Sequence, residues 1–387
     1  MRLKISGVTR VLCLALCAPG SACSSYGAAN PGSAGAASVA GAPASGGADG
    51  AWLGGAGGPA GGAVASGGSA GATTAGAGAT GSEGGASTGT RPKLRTVGYL
   101  PSYRGKLSAW ATSFDFSLVS YVDVCFASVD ASGSVSYPDQ DLATFAIAAH
   151  KAGAKVCMAL GGASTIGDFS AYSGLVAASG RAAFVQKITD YAVNTGLDCI
   201  DVDFEGPKAV NADYEGFVTA LSASLKAKGK ETSAAVASWF GPQVTNGALQ
   251  AFDFVNVMAY DLHNPGGSAT PIQSSSMADA KAEIDYWVGR GLPKEKAVFG
   301  VPFYGYRWKP GAAAGEAVVY SELLSTYGAA AGSDTITQEG TIVYLNSKAT
   351  IVDKTQLAAT YGGIMAWELG QDAPAATSLL RAIHDAE

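Results

Sequence analysis

The sequence predicts an α/β protein, a closed (β/α)8 barrel behind a disordered linker. Three observations predict it. From Thr96 onward, short apolar or β-branched runs alternate with longer amphipathic stretches. The runs are almost continuously apolar, as parallel strands covered on both faces must be. Eight such units fit the 297 residues from 91 to 387, near the roughly 250 residues plus insertions of a β/α barrel. A doubly wound open sheet is the competitor, but it normally carries a glycine-rich phosphate loop after its first strand. Gly98-Tyr99-Leu100-Pro101 is not such a loop.

Residues 1–23 come first in chain order. Arg2, Lys4 and Arg10, with no acid, precede an apolar core at 11–18 and then Pro19-Gly20-Ser21-Ala22-Cys23. That is a signal-peptide layout, with small residues before the cut. Eight apolar residues cannot span about 30 Å of hydrocarbon as a permanent helix. Cys23 resembles the lipidated cysteine of a bacterial lipoprotein box, although Gly20 stands where that motif prefers leucine. The segment predicts export, either secretion or a lipoprotein at the cell surface or outer membrane anchored through Cys23.

Residues 24–90 hold 22 of the 53 glycines and only two charges, Asp49 and Glu83. The glycines lack a three-residue period, which excludes collagen. With almost no branched apolar residues, the segment cannot offset its chain entropy by burial. It reads as a tether with an r.m.s. reach of roughly 45 Å.

In the folded part, 91–387, strands are expected at 96–100, 120–127, 155–160, 199–205, 232–239, 253–260, 297–303 and 363–367. Helices are expected at 141–152, 181–195, 213–227, 279–290 and 374–386. Barrel chemistry sits at the C-terminal strand ends, which here carry Tyr99, Phe126, Gly161-Gly162, Glu205, Trp239, Tyr260-Asp261, Tyr304 and Trp367. Aromatic faces stack on pyranose rings and carboxyls bond hydroxyls or donate protons, so the set describes a sugar-binding cleft. This domain has 22 Lys+Arg against 29 Asp+Glu, which argues against a nucleic-acid partner. Histidine occurs only at 150, 263 and 384, with no zinc-site spacing. No metal and no cofactor are expected, and the protein is expected to be a monomer. Cys125, Cys157 and Cys199 all fall in strands and read as small buried apolar residues; one disulfide between neighbouring strands is open to them but not indicated.

The decisive segment is Asp198-Cys199-Ile200-Asp201-Val202-Asp203-Phe204-Glu205. Alternate strand residues share a face about 6.6–6.8 Å apart, so Asp201, Asp203 and Glu205 point one way and Ile200, Val202 and Phe204 the other. The apolar set packs under the helices, which places the acids inside the barrel. Like charges this close cannot all ionise, so at least one carboxyl is held protonated. Glu205, last on the strand, is the natural proton donor.

Asp198-x-x-Asp201-x-Asp203-x-Glu205 resembles the signature of glycoside hydrolase family 18, the class V chitinases, over residues 95–372. Val97-Gly98-Tyr99, Ala159-Leu160-Gly161-Gly162, Met258-Ala259-Tyr260-Asp261, Gly300-Val301-Pro302-Phe303-Tyr304-Gly305 and Gly363-Ile364-Met365-Ala366-Trp367 are similar to its pattern in order. The resemblance implies a retaining chitinase in which Glu205 is the general acid and the substrate's own acetamido carbonyl is the nucleophile, an exception to the two-carboxylate rule. Asp203 would orient the acetamido group, turning between Asp201 and Glu205. Tyr260 would bond the acetamido oxygen, Asp261 the distorted sugar, and Trp367 would form the subsite floor. Met258, Tyr99, Phe126, Trp239 and Tyr304 complete the expected substrate contacts.

Three departures stand out: Cys199 replaces the family's glycine, Phe204 its tryptophan, and Ala159 a serine that supports the middle aspartate. The span 308–362 is expected to hold a small insertion or none, giving a shallow cleft suited to internal cutting of chitin. The substrate alternatives are N-glycan cores or peptidoglycan, and the non-enzymatic alternative is a chitin-binding lectin.

Overall fold

The computed structural model describes residues 94–387; the expected export signal with Cys23 and the expected linker at 24–90 lie outside them. Eight strands make the central sheet: β1 Thr96–Pro101, β2 Tyr121–Val129, β3 Lys155–Gly162, β4 Cys199–Phe204, β5 Glu231–Val236, β6 Phe254–Val257, β7 Ala297–Pro302 and β8 Gly363–Trp367. Each runs parallel to the next, and β8 pairs with β1 through Ile364 opposite Thr96. The ring therefore closes as a TIM barrel. A doubly wound sheet would leave two open edges.

Two apolar cores follow from the period-2 alternation of the strands. Ile200, Val202 and Phe204 join the core between barrel and helices, where Phe204 meets Phe169, Tyr172 and Phe217. Val97, Tyr99, Cys157, Ala159, Cys199 and Phe254 belong to a second core inside the barrel. Each fully buried Val, Ile or Phe contributes about 1.5–3 kcal/mol. That apolar shell offsets the charged interior of β4.

Helices lie at Leu142–Lys151, Arg181–Asn194, Tyr214–Lys226 and Met277–Gly289, within two residues of expectation. The last helix differs: it spans Leu379–Ala386 rather than starting at 374, because Ser378 caps it and Asp372 accepts from the Leu379 and Leu380 amides. The sixth strand stops at Val257, so Met258, Ala259 and Tyr260 leave the ladder.

The expectation of a small or absent insertion is corrected. A four-stranded antiparallel sheet, Glu316–Val319, Tyr304–Trp308, Thr341–Tyr344 and Thr335–Gln338 in spatial order, lies between β7 and β8 with the helix Tyr320–Tyr327. The ordinary barrel helix needs only Lys348–Ala358, which leaves room for it. The strands are four or five residues long, and one hairpin turns on Glu339-Gly340, both at positive φ. Cys157 and Cys199 are also corrected: they are register partners and form a disulfide, leaving Cys125 as a buried free thiol. Strand register, invisible in a single sequence, brings them together.

Candidate active site

The C-terminal mouth of the barrel holds a cleft lined by Tyr99, Phe126, Ala163, Asp203, Glu205, Ala235, Met258, Tyr260, Asp261 and Trp367. Seven strand ends contribute. Eight of the eleven expected site residues therefore meet at one opening.

The other three lie nearby in different roles. Asp201 sits one step below the cleft, where its Oδ2 accepts from Tyr99 Oη at 2.8 Å and its Oδ1 from Ser233 Oγ at 2.6 Å. Tyr304 stands behind Asp261 and donates its hydroxyl to Asp261 Oδ1 at 2.6 Å. Trp239 is 48% exposed at the rim, with its ring 3.1 Å from where a Cβ on Gly206 would stand. Asp198, first acid of the pattern, belongs to the opposite end of the barrel. It accepts from the Val156 amide and pairs with His150 at 2.7 Å, a structural duty.

Glycine makes the floor. Gly161 and Gly162 end β3 at φ of 104° and 77°, where a side chain is strained. A Cβ on Gly161 would stand 2.5 Å from the Asp203 carbonyl, and one on Gly162 2.6 Å from the Phe126 ring. Only a bare backbone lets β3 pass under both residues.

The acids differ in their surroundings. Asp201 is fully buried but receives bonds from Ser233 and Tyr99; burial still raises its carboxyl to about 6, against the lowering by those donors. Asp203 has an Oδ1 with no partner, and burial, then Glu205, Asp201 and Asp123, push it well above the carboxylate range. Glu205 has an unpartnered Oε2, and burial followed by the Asp261 charge pushes it up to about 8. Burial dominates each shift because the ion pairs among the described residues include none of these acids. Asp261, at φ 56°, accepts from Tyr304 and from Tyr306 at 2.7 Å, which counters part of its own rise.

Several functional residues escaped the sequence reading. Thr165 holds the backbone of the acid, since its Oγ1 accepts from the Glu205 amide at 2.9 Å and donates to the Gly162 carbonyl at 2.8 Å. Ser233, on β5, supplies Asp201 with a hydroxyl donor in spite of Ala159, which pairs with Asp201 on the β3 side. Asn256 and Asp123 lie in the same interior layer. Their signal was present in Tyr121-x-Asp123-x-Cys125 and Phe254-x-Asn256-x-Met258, two polar residues at inward positions of apolar strands. Attention to strand ends alone passes over strand interiors.

With this geometry in place, comparison with known proteins is informative. The model of the family described as Glycosyl hydrolases family 18 matches residues 95–372. A chitinase-like effector from Moniliophthora roreri is 28% identical over 219 residues, covering 49% of this chain and 53% of that protein. The chain thus spans about half the length of that relative. A class V chitinase from Arabidopsis thaliana is 26% identical over 270 residues, 62% of this chain and 68% of that protein. Among solved structures, the GH18 chitinase ChiB from the chitin utilization locus of Flavobacterium johnsoniae matches with a TM-score of 0.66 at 30% identity, covering 76% of this chain and 94% of that one.

Proposed function

The chain belongs to glycosyl hydrolases family 18, and from that premise we propose that it is a chitinase, cutting β-1,4 bonds between N-acetylglucosamine units with retention of configuration. The observation that carries the proposal is the Glu205 carboxyl: buried in the cleft, unpartnered on Oε2 and pushed up to about 8. Such a group is protonated at neutral pH and aimed at a ligand, as a general acid requires.

In the first step Glu205 gives its proton to the glycosidic oxygen. The bond from that oxygen to the anomeric carbon breaks while the acetamido carbonyl oxygen of the same sugar bonds that carbon, forming an oxazolinium. Asp203, whose Oδ1 has no protein donor, accepts the acetamido N–H and balances the positive charge. The Tyr260 hydroxyl makes only a 3.9 Å contact to Met365 Sδ, so it is available to the acetamido oxygen. Trp367 carries the apolar sugar face, and Asp261 takes a ring hydroxyl. Water then adds to the anomeric carbon from the side the leaving group vacated. Glu205, now a carboxylate, removes its proton, and the oxazolinium C–O bond opens. Acid–base assistance contributes about 10²–10⁴ in rate, and the tethered acetamide adds proximity.

A lectin fits this cleft poorly. A buried carboxyl oxygen without a partner costs about 1–3 kcal/mol, and a groove that only binds gains nothing from two of them. The test is Glu205→Gln with an aryl chitobioside. The variant should fold normally and lose at least about 10²-fold in kcat, and wild type should be inhibited by an oxazolinium mimic. Turnover unchanged in Glu205→Gln would overturn the mechanism. Products from chitin oligomers, N-glycan and peptidoglycan compared side by side decide the substrate.

A further inference from the structure

The mechanism leaves one buried acid unused. Asp123, on β2, is fully buried inside the barrel, in register with Tyr99 of β1 and Cys157 of β3. Its Oδ1 has no hydrogen-bond partner. Its Oδ2 has a long 3.5 Å contact from Asn256 Nδ2, and the Tyr99 hydroxyl also acts on the carboxyl. That amide nitrogen also reaches Tyr99 Oη at 3.0 Å and Asp201 Oδ1 at 3.4 Å. An amide carries two N–H bonds, and here three acceptors surround it. Whatever Asp123 receives, Asp201 or Tyr99 loses.

Burial and the Asp201 charge push the Asp123 carboxyl well up, and hydrogen bonding from Asn256 and Tyr99 opposes only part of that rise. Tyr99 comes from β1, the Cys157–Cys199 disulfide from β3 and β4, and Asn256 from β6. Asp201 and Asp203 come from β4, while Tyr121 and Cys125 share its own strand. One Asp123 oxygen lies within 4.8 Å of both disulfide sulfurs. None of these groups is a cation. Asp201 acts on Asp123, and both act on Asp203, each making the proton harder to lose.

We propose that Asp123 is a positioning residue of the active site: it competes with Asp201 for the Asn256 amide and, as a fourth carboxyl in a cation-free interior, sets how firmly the Asp203 carboxyl holds its proton. It touches no substrate. Its effect passes to the acetamido-orienting Asp203 through Asn256, Asp201 and the field across the barrel. The inference rests on the hydrolytic reading above.

The test is Asp123→Asn, which keeps the shape and removes the charge. With one ionisable carboxyl fewer, Asp203 releases its proton earlier and reaches its working carboxylate form at lower pH, so the acid limb of the kcat profile should move toward acid by about one pH unit, roughly a tenfold relative gain at the acid end. A residue that only packs would lower activity evenly across pH. A folded variant with an unshifted profile overturns the proposal. If the variant does not fold, the wild-type protein answers the question alone. With 13C-labelled aspartate carboxyls, at least two buried resonances should titrate in linked steps; independent single-step titrations of every aspartate would overturn it. An active Glu205→Gln would instead sink the hydrolytic reading, and the carboxyl titration would still report on Asp123.

Discussion

In the proposed reaction Glu205 is an acid in one half and a base in the other, and its surroundings favour the first role. A carboxyl held up to about 8 keeps its proton where an exposed glutamate has lost it. Stability must then depend on pH in an unusual sense. The folded state binds the proton more tightly than the unfolded chain, where glutamate titrates near its ordinary value of about 4.3. The contribution is therefore fully present below that value and is lost as pH rises to about 8. Asp201, held to about 6, adds to the same loss over a narrower window. We expect thermal midpoints to fall as pH rises from 5 to 8, with a shallower slope in Glu205→Gln. Parallel slopes for the two proteins would contradict the burial of a protonated Glu205. Both acids were legible in the sequence, because alternation assigns a face to each residue of β4. Thr165 was not: a threonine in a loop shows nothing of the amide it will meet 40 positions later.

At the scale of elements, the insertion between β7 and β8 belongs to the site. Tyr304 and Tyr306 sit on its first strand, and both donate to Asp261 Oδ1. Donation to a carboxylate favours its charged form, so the insertion counters part of the rise that burial imposes on Asp261. Tyr306→Phe removes one donor, and Asp261 should then hold its proton to higher pH. The acid limb of kcat/KM should move toward neutral, with a loss of about tenfold near pH 5 that shrinks by pH 8. A uniform loss at every pH would mean the tyrosine only packs. A buried amine also pins the insertion to the barrel. Lys354 Nζ donates to the Ser275 carbonyl and to Asn346 Oδ1, both at 2.7 Å. The shallow cleft expected from a minimal insertion therefore loses its basis. The signal was faint because strands of four residues joined by turns resemble a loop when counted by length.

For the whole molecule, the barrel interior carries both the chemistry and a cross-link. The Cys157–Cys199 disulfide closes a loop with a sequence separation of 42 and ties β3 to the acidic strand directly beneath Ala159 and Asp201. In the chain-entropy view such a loop contributes about 4 kcal/mol. The double variant Cys157→Ala, Cys199→Ala should therefore melt roughly 10 °C lower. A change under about 2 °C would show that the reduced pair packs equally well. Because the bridge lies below Asp201 and the acids above it, kcat at 25 °C should change far less than the melting point.

The sequence by itself determined the eight-unit barrel, the inward face of β4 and the place of Glu205 at its cleft end. Each of these follows from periodicity and residue chemistry within one element. Tertiary structure alone decided the Cys157–Cys199 bridge, the support of Asp201 by Ser233, the two tyrosines on Asp261, and the place of Asp123 under the acids. Those depend on register between strands and on which loops meet at the barrel mouth. Alternation specifies which face a residue takes, while ring closure sets the partner opposite it, and a single chain of letters carries only the first.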